Sequence, residues 1–253
     1  MMTFFRWLAL LAPAALLAGP IAAQTAPPAP LTVSGDVTLV TDYRFRGLSR
    51  SDRDPAAGAS VAIDTLAGAY LSVTASSIGS YVARNADAEM DLTAGYRATL
   101  DGTGVDAGLT YYFYPGSRGG ATDFAEPFVI VSRSYGPLTG HLGANLAWAQ
   151  RGLGIGGDRR GGAYVHGDLE AGIPRTPVTV SIHAGHAFDA DAATLGRRYT
   201  DWRLGAAWTR RAVTVGLAYV DTDTHAYRYP AAIAGARDDL AAGTVLASVG
   251  LSF

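Results

Sequence analysis

From Val33 onward the side chains keep changing sides. The odd positions Val33, Gly35, Val37, Leu39, Thr41, Tyr43 and Phe45 are mostly apolar, while the even ones, Ser34, Asp36, Thr38, Val40, Asp42, Arg44 and Arg46, are mostly polar or charged. A period of two marks a β-strand, whose successive side chains leave opposite faces of the sheet. The pattern recurs in Val105, Leu109, Tyr111 and Phe113 against Asp106 and Thr110, and in Val178, Val180, Ile182 and Phe188 against Thr179, Ser181 and His183. Trp202, Leu204, Ala206 and Trp208 against Asp201, Arg203 and Thr209 repeat it. About twelve such segments satisfy the alternation criterion. Hydrophobic residues make up 49% of the 253, yet beyond the N-terminus no run reaches the roughly 18 to 20 apolar residues that a membrane helix needs. A helical membrane protein is excluded, and an all-β chain remains.

The connections decide between β architectures. Short ones fall at 65–68, 98–102, 135–137, 174–177 and 210–211, and long polar ones at 47–54, 77–88, 115–123, 151–162, 189–199 and 221–239. This alternation predicts a transmembrane antiparallel up-and-down β-barrel, with an even strand number, short periplasmic turns and long external loops. Such a barrel shows its apolar face to lipid and ranks aromatics at both interfaces. On the predicted strands Tyr43, Phe45, Tyr111, Phe113, Trp148, Phe188, Trp202 and Tyr219 fall at the loop ends, and Tyr96, Trp208 and Phe253 at the turn ends. In the final stretch Val249, Leu251 and the terminal Phe253 resemble the signal read by the barrel-assembly machinery. A soluble lipocalin-like barrel predicts the reverse, with its apolar face inside.

Residues 1–23 read as a signal peptide: Arg6 supplies the charge, 7–17 the apolar stretch, and 19–23 a small-residue region cleaved after Ala23. Residues 24–31 form a flexible Pro/Ala leader, and 32–253 a single outer-membrane barrel domain. The expected location is the outer membrane of a Gram-negative bacterium. Expected partners are its lipids, periplasmic chaperones and the barrel-assembly machinery during biogenesis, and small polar solutes afterwards. A net charge of -2 with scattered arginines gives no basic stripe for nucleic acid. The lack of cysteine removes disulfides, thiolate metal sites and cysteine nucleophiles.

The stretch Val37-Thr-Leu-Val-Thr-Asp-Tyr-Arg-Phe-Arg-Gly-Leu-Ser-Arg-Ser-Asp52, followed by Pro55, resembles the opening of the TorF porin family. Gly68-Ala-Tyr70 with Ala75-Ser76, then Ala88-Glu-Met-Asp-Leu-Thr-Ala-Gly-Tyr96, Gly108-Leu-Thr-Tyr-Tyr-Phe-Tyr-Pro-Gly116 and Glu126, match in order and spacing. The likeness runs from about Val33 to Phe253 and thins after Trp148; Thr41 stands where that family has serine. The resemblance implies an outer-membrane barrel and a porin.

A channel function is argued from the polar face. Ser72, Thr74, Gly95, Gly108, Gly143, Ala147, Gly185, Gly205, Gly216, Ser248 and Gly250 share it, and such small residues predict internal room and a narrow pore. Pore-lining candidates are Asp42, Arg44, Arg46, Glu89, Asp91, Asp201 and Arg203. These opposed charges either order a passing solute or form an internal ion-pair network. Inward acids, counting Asp36, Asp106, Asp168 and Glu170, outweigh inward arginines, counting Arg97, and predict a mild cation preference. In the sixth predicted strand Glu126, Phe128 and Ile130 compete with Pro127, Val129 and Val131 for the outward phase.

Passive diffusion of small polar solutes or ions is the leading reading, a non-conducting structural or surface-interaction barrel the second, and a lipid-modifying enzyme the third. Ser181 and His183 share a face, but it is the inward one, away from acyl chains. No catalytic residue and no cofactor is expected. His141, His166, His183, His186 and His225 show no HExxH or clustered carboxylate pattern, and no metal site is expected. Asp221-Thr-Asp-Thr lacks the glycine and distal glutamate of a calcium loop, and Gly152-Leu-Gly-Ile-Gly-Gly157 reads as a loop tip.

Overall fold

The computed structural model describes residues 30–224 and 239–253. The proposed signal peptide, most of the leader, and His225 lie outside the described residues. The strands are β1 (Leu31–Val40), β2 (Arg44–Phe45), β3 (Leu48–Ser49), β4 (Ala56–Thr65), β5 (Ala69–Ser77), β6 (Ala88–Leu100) and β7 (Thr103–Phe113). They continue with β8 (Phe124–Tyr135), β9 (Leu138–Gln150), β10 (Arg160–Gly172), β11 (Val178–Ala187), β12 (Tyr199–Arg210), β13 (Val213–Thr222) and β14 (Thr244–Ser252). All but β2 and β3 form a closed antiparallel barrel of twelve strands in which chain neighbours pair and β1 closes on β14. The closing register runs from Asp36↔Ser252 to Val40↔Ser248. Gly35 and Phe253 exchange backbone hydrogen bonds of 3.0 and 2.9 Å beyond it.

The period of two becomes two surfaces. Leu39, Leu71, Leu142, Leu169, Leu204 and Leu217 point outward and are exposed, while Asp36, Thr93, Thr110, Asp168 and Thr214 point inward and are buried. This is the sidedness of a barrel that meets hydrocarbon outside and a polar lumen inside. In β8, Pro127, Val129 and Val131 take the outer face, whereas Glu126 and Phe128 are buried inside. Tyr111, Phe113, Trp148, Phe188, Trp202, Trp208 and Tyr219 are exposed, as are Val249, Leu251 and Phe253 of the last strand. Leu142, 69% exposed and mid-strand in β9, gives a direct check of the outer face. Leu142→Arg is expected to destabilise the bilayer-embedded barrel by about 2 to 4 kcal/mol in urea unfolding, and a change near zero would mean that lipid does not contact this face.

Two expectations are corrected. The alternation through Tyr43 and Phe45 predicted a long first strand with both rings at the membrane interface. Instead the wall strand ends at Val40, and Tyr43 and Phe45 are each only 1% exposed. The reason is a turn: Arg46 and Gly47 have φ of 50° and 80°, which closes β2 on β3 as a tight hairpin inside the barrel. Its two faces are both buried, so the period of two persists after the chain has left the wall.

The second correction concerns the small inward residues. Four of them leave no empty room, because larger side chains of neighbouring strands lie over them, whereas Gly205, Gly216 and Ser248 do line a small cavity. A Cβ on Gly95 would fall 2.6 Å from the Tyr70 ring, and one on Gly108 2.8 Å from Phe128. A Cβ on Gly143 would fall 2.2 Å from His166 Nε2, and one on Gly185 1.9 Å from Tyr164 Oη. Each of these four glycines is the seat of an inward ring.

Candidate functional site

The loop between β1 and β4 folds into the lumen and is gripped there by the wall. Within it Asp42 accepts from Arg44 Nε at 2.7 Å, from Ser49 Oγ at 2.6 Å and from Ser51 Oγ at 3.2 Å. Arg44 also donates to the Gly47 carbonyl at 2.8 Å and to that of Leu240 at 3.2 Å. These bonds hold the hairpin's shape, since a buried guanidinium needs acceptors on its fork.

Charged pairs then tie the hairpin to the wall. The Tyr43 hydroxyl donates to Glu89 of β6 at 2.9 Å, and Arg50 reaches the same carboxylate and Tyr114 Oη, each at 3.3 Å. Arg46 donates to Glu126 of β8 at 2.7 Å, and Tyr112 of β7 donates to the same oxygen at 3.3 Å. The Arg46 guanidinium lies 4.7 Å from the centroid of the Phe45 ring and 4.3 Å from that of Tyr164 on β10, a cation–π arrangement. Gly47 packs against Asp201 of β12 and Thr222 of β13 so closely that a Cβ there would lie 2.7 Å from each. Burial beside Glu89 pushes the phenol of Tyr114, which follows β7, well above its ordinary value, so it stays a neutral partner for Arg50.

Of the pore-lining candidates, Asp42, Arg44 and Arg46 belong to the hairpin, and Glu89, Asp91 and Asp201 are buried on the wall. Arg203 stands apart, donating to Ser181 Oγ at 3.3 Å and lining a small cavity with Glu170, Gly205 and Ser248. Among the described residues, Asp91 Oδ1 and one terminal nitrogen each of Arg44 and Arg50 are buried without a hydrogen-bond partner. Sequence reasoning missed Arg50, Glu126, Tyr112 and Tyr164 as parts of this assembly. The inward phase was the available signal for the wall residues, but β8 read ambiguously and Arg50 lies beyond the alternating stretch.

Outside the hairpin a vestibule of about 480 Å³ opens between loops, lined by Arg50, Arg84, Arg118, Tyr81, Tyr114 and Ile155 among others. The glycine-rich loop tip at 152–157 supplies part of its wall. Among the described lining residues there is no carboxylate.

A second cluster lies on β10 and β11. Asp168 bonds His166 Nδ1 at 2.8 Å and His183 Nδ1 at 2.5 Å, and Asp201 bonds His183 Nε2 at 2.9 Å and Tyr164 Oη at 2.9 Å. Both nitrogens of His183 thus face carboxylates, while Ser181 faces Arg203 rather than the histidine. The expectation that no histidines gather with a carboxylate is corrected. His166, Asp168 and His183 present potential ligand atoms within 4.8 Å of one another. Register explains why spacing hid them, because Asp168 pairs directly with His183 across strands, and His166 is two residues away on the same face.

A family described as "Bacterial protein of unknown function (Gcw_chp)" matches residues 24–253. No curated protein matches by sequence. Among solved structures, the NanC porin superposes with a TM-score of 0.54 at 15% identity, covering 87% of this chain and 98% of that one. An outer membrane channel from Pseudomonas putida F1 superposes with a TM-score of 0.54 at 10% identity, covering 90% and 96%. At such identities the likeness is one of fold.

Proposed function

The chain belongs to the Gcw_chp family of bacterial proteins of unknown function, and we propose that it is a porin-like channel of a Gram-negative outer membrane, passing small polar solutes or ions. The observation that carries this reading is the inward hairpin: a charged, hydrogen-bonded constriction held across a polar lumen, inside a wall whose outer face is apolar. The TorF resemblance agrees with it, since the most specific motif, from Val37 to Asp52, is largely the constriction itself. Buried polar atoms on Arg44, Arg50 and Asp91 that find no partner among the described residues give water or a solute something to bind.

The lumen is acidic on balance, with Asp36, Glu89, Asp91, Glu126, Asp168 and Asp201 buried, which favours cations by the sign of the field. Purified protein in planar bilayers is expected to give discrete, cation-leaning conductance steps. Asp91→Asn is expected to move the reversal potential under a salt gradient toward zero. A folded but silent barrel would overturn the channel in favour of the second reading, a structural or surface-interaction barrel. The observation on that side is the same hairpin, whose bonds reach several wall strands and would serve a permanent plug equally well.

A further inference from the structure

We propose that His166, Asp168 and His183 form a binding site for one first-row divalent transition-metal ion of the Zn²⁺, Ni²⁺ or Cu²⁺ class. The site stands independently of the channel reading. It begins with strand geometry. His166 and Asp168 are two apart on β10 and share its inner face, and His183 stands opposite Asp168 on β11. Three donors of the right kind are therefore placed by backbone register, before any side chain moves.

The donor set selects the ion. Two imidazoles and one carboxylate suit borderline metals and not the all-oxygen preference of Ca²⁺ or Mg²⁺. Metal bonds of about 2.0 to 2.2 Å place neighbouring ligand atoms roughly 3.3 Å apart in tetrahedral geometry. The Asp168 oxygens now lie 2.8 and 2.5 Å from the two Nδ1 atoms, so an ion enters by replacing the two Nδ1 protons, which are released to water, and by drawing the carboxylate away from the nitrogens slightly.

The surroundings are those of a metal site. A ligating histidine is normally oriented by a carboxylate on its other nitrogen. Asp201 stands 2.9 Å from His183 Nε2 and is itself held by the Tyr164 hydroxyl. His166 is kept in place by Gly143, where any side chain would strike its Nε2, and by the stacked Tyr164 ring at 5.7 Å. Asp168 and Asp201 bring two buried carboxylates for a dication to offset. Three protein ligands leave a fourth position open to water or a solute, so the ion is exchangeable.

The test is titration of the intact chain, folded in detergent, with Co²⁺ followed by visible absorption. A band that saturates at about one equivalent and is bleached by Zn²⁺ is expected. His183→Gln and His166→Gln should each weaken it at least tenfold, and Asp201→Asn by about tenfold. His186→Gln should leave it unchanged, because His186 bonds Thr200 and lies outside the cluster. Should the ligand variants not fold, Cu²⁺ electron paramagnetic resonance of the unaltered chain reads the donors directly, and coupling to two imidazole nitrogens is expected. Absorption that stays that of aqueous cobalt, a band that survives both histidine variants, or copper without two-nitrogen coupling would overturn the site and leave His183 as a bridge between two aspartates.

Discussion

Glu126→Ala is expected to release the hairpin and raise channel conductance several-fold. Arg46 is buried, with the Glu126 carboxylate 2.7 Å away and the rings of Phe45 and Tyr164 around it. Removing one partner of a buried pair costs about 3 to 5 kcal/mol, because the remaining charge is left without compensation. Arg46 sits on a loop that can leave for water, so the cost falls on the docked arrangement and not on the wall. At about 1.4 kcal/mol per tenfold, the docked-to-undocked ratio drops by two orders of magnitude or more. Protease sensitivity around Arg50 and Arg53 should rise together with the conductance. Adding Arg46→Ala to Glu126→Ala should recover part of the loss, since the stranded charge is then gone. If Glu126→Ala leaves both readouts where they were, the pair does not hold the constriction.

The second large effect is expected at Gly185. A Cβ there would lie 1.9 Å from Tyr164 Oη, and that ring has nowhere to go: its hydroxyl donates to Asp201 at 2.9 Å while Arg46 covers its face. Gly185→Val therefore combines overpacking, about 1 to 3 kcal/mol, with loss of a hydrogen bond to a carboxylate, about 1.5 to 3 kcal/mol. Urea unfolding should show a destabilisation of about 3 kcal/mol or more. In the Tyr164→Ala background the same substitution should cost far less, because the seat is vacant. Equal costs in both backgrounds would show that the ring and the glycine do not oppose each other.

The wall was legible because a membrane barrel writes its inner and outer faces directly into alternate residues. Leu142, Leu204 and Leu251 stand outside and Asp36, Asp168 and Asp201 inside, as period two requires. The hairpin was not legible, because Tyr43 and Phe45 continue the same period after the backbone has turned inward. Alternation reports sidedness and not which surface supplies the side. The inward glycines were misread for a related reason: sequence gives a residue's own volume, whereas the lumen is filled by a ring from the adjacent strand, as Tyr164, diagonal to Gly185 in the register, fills the space over it. The histidine cluster depended on register between β10 and β11, which no spacing along the chain encodes.

The hairpin hangs from the first wall strand, yet its bonds and packing contacts reach β6, β7, β8, β10 and β12. The wall closes by pairing Val40 with Ser248, residues at opposite ends of the chain. Such distant pairing forms late, after local neighbours have joined. The docked hairpin joins staves of the barrel that never pair with one another, β6 and β8 by its charged bonds and β10 by a ring contact, so it braces the ring across its width as spokes brace a rim.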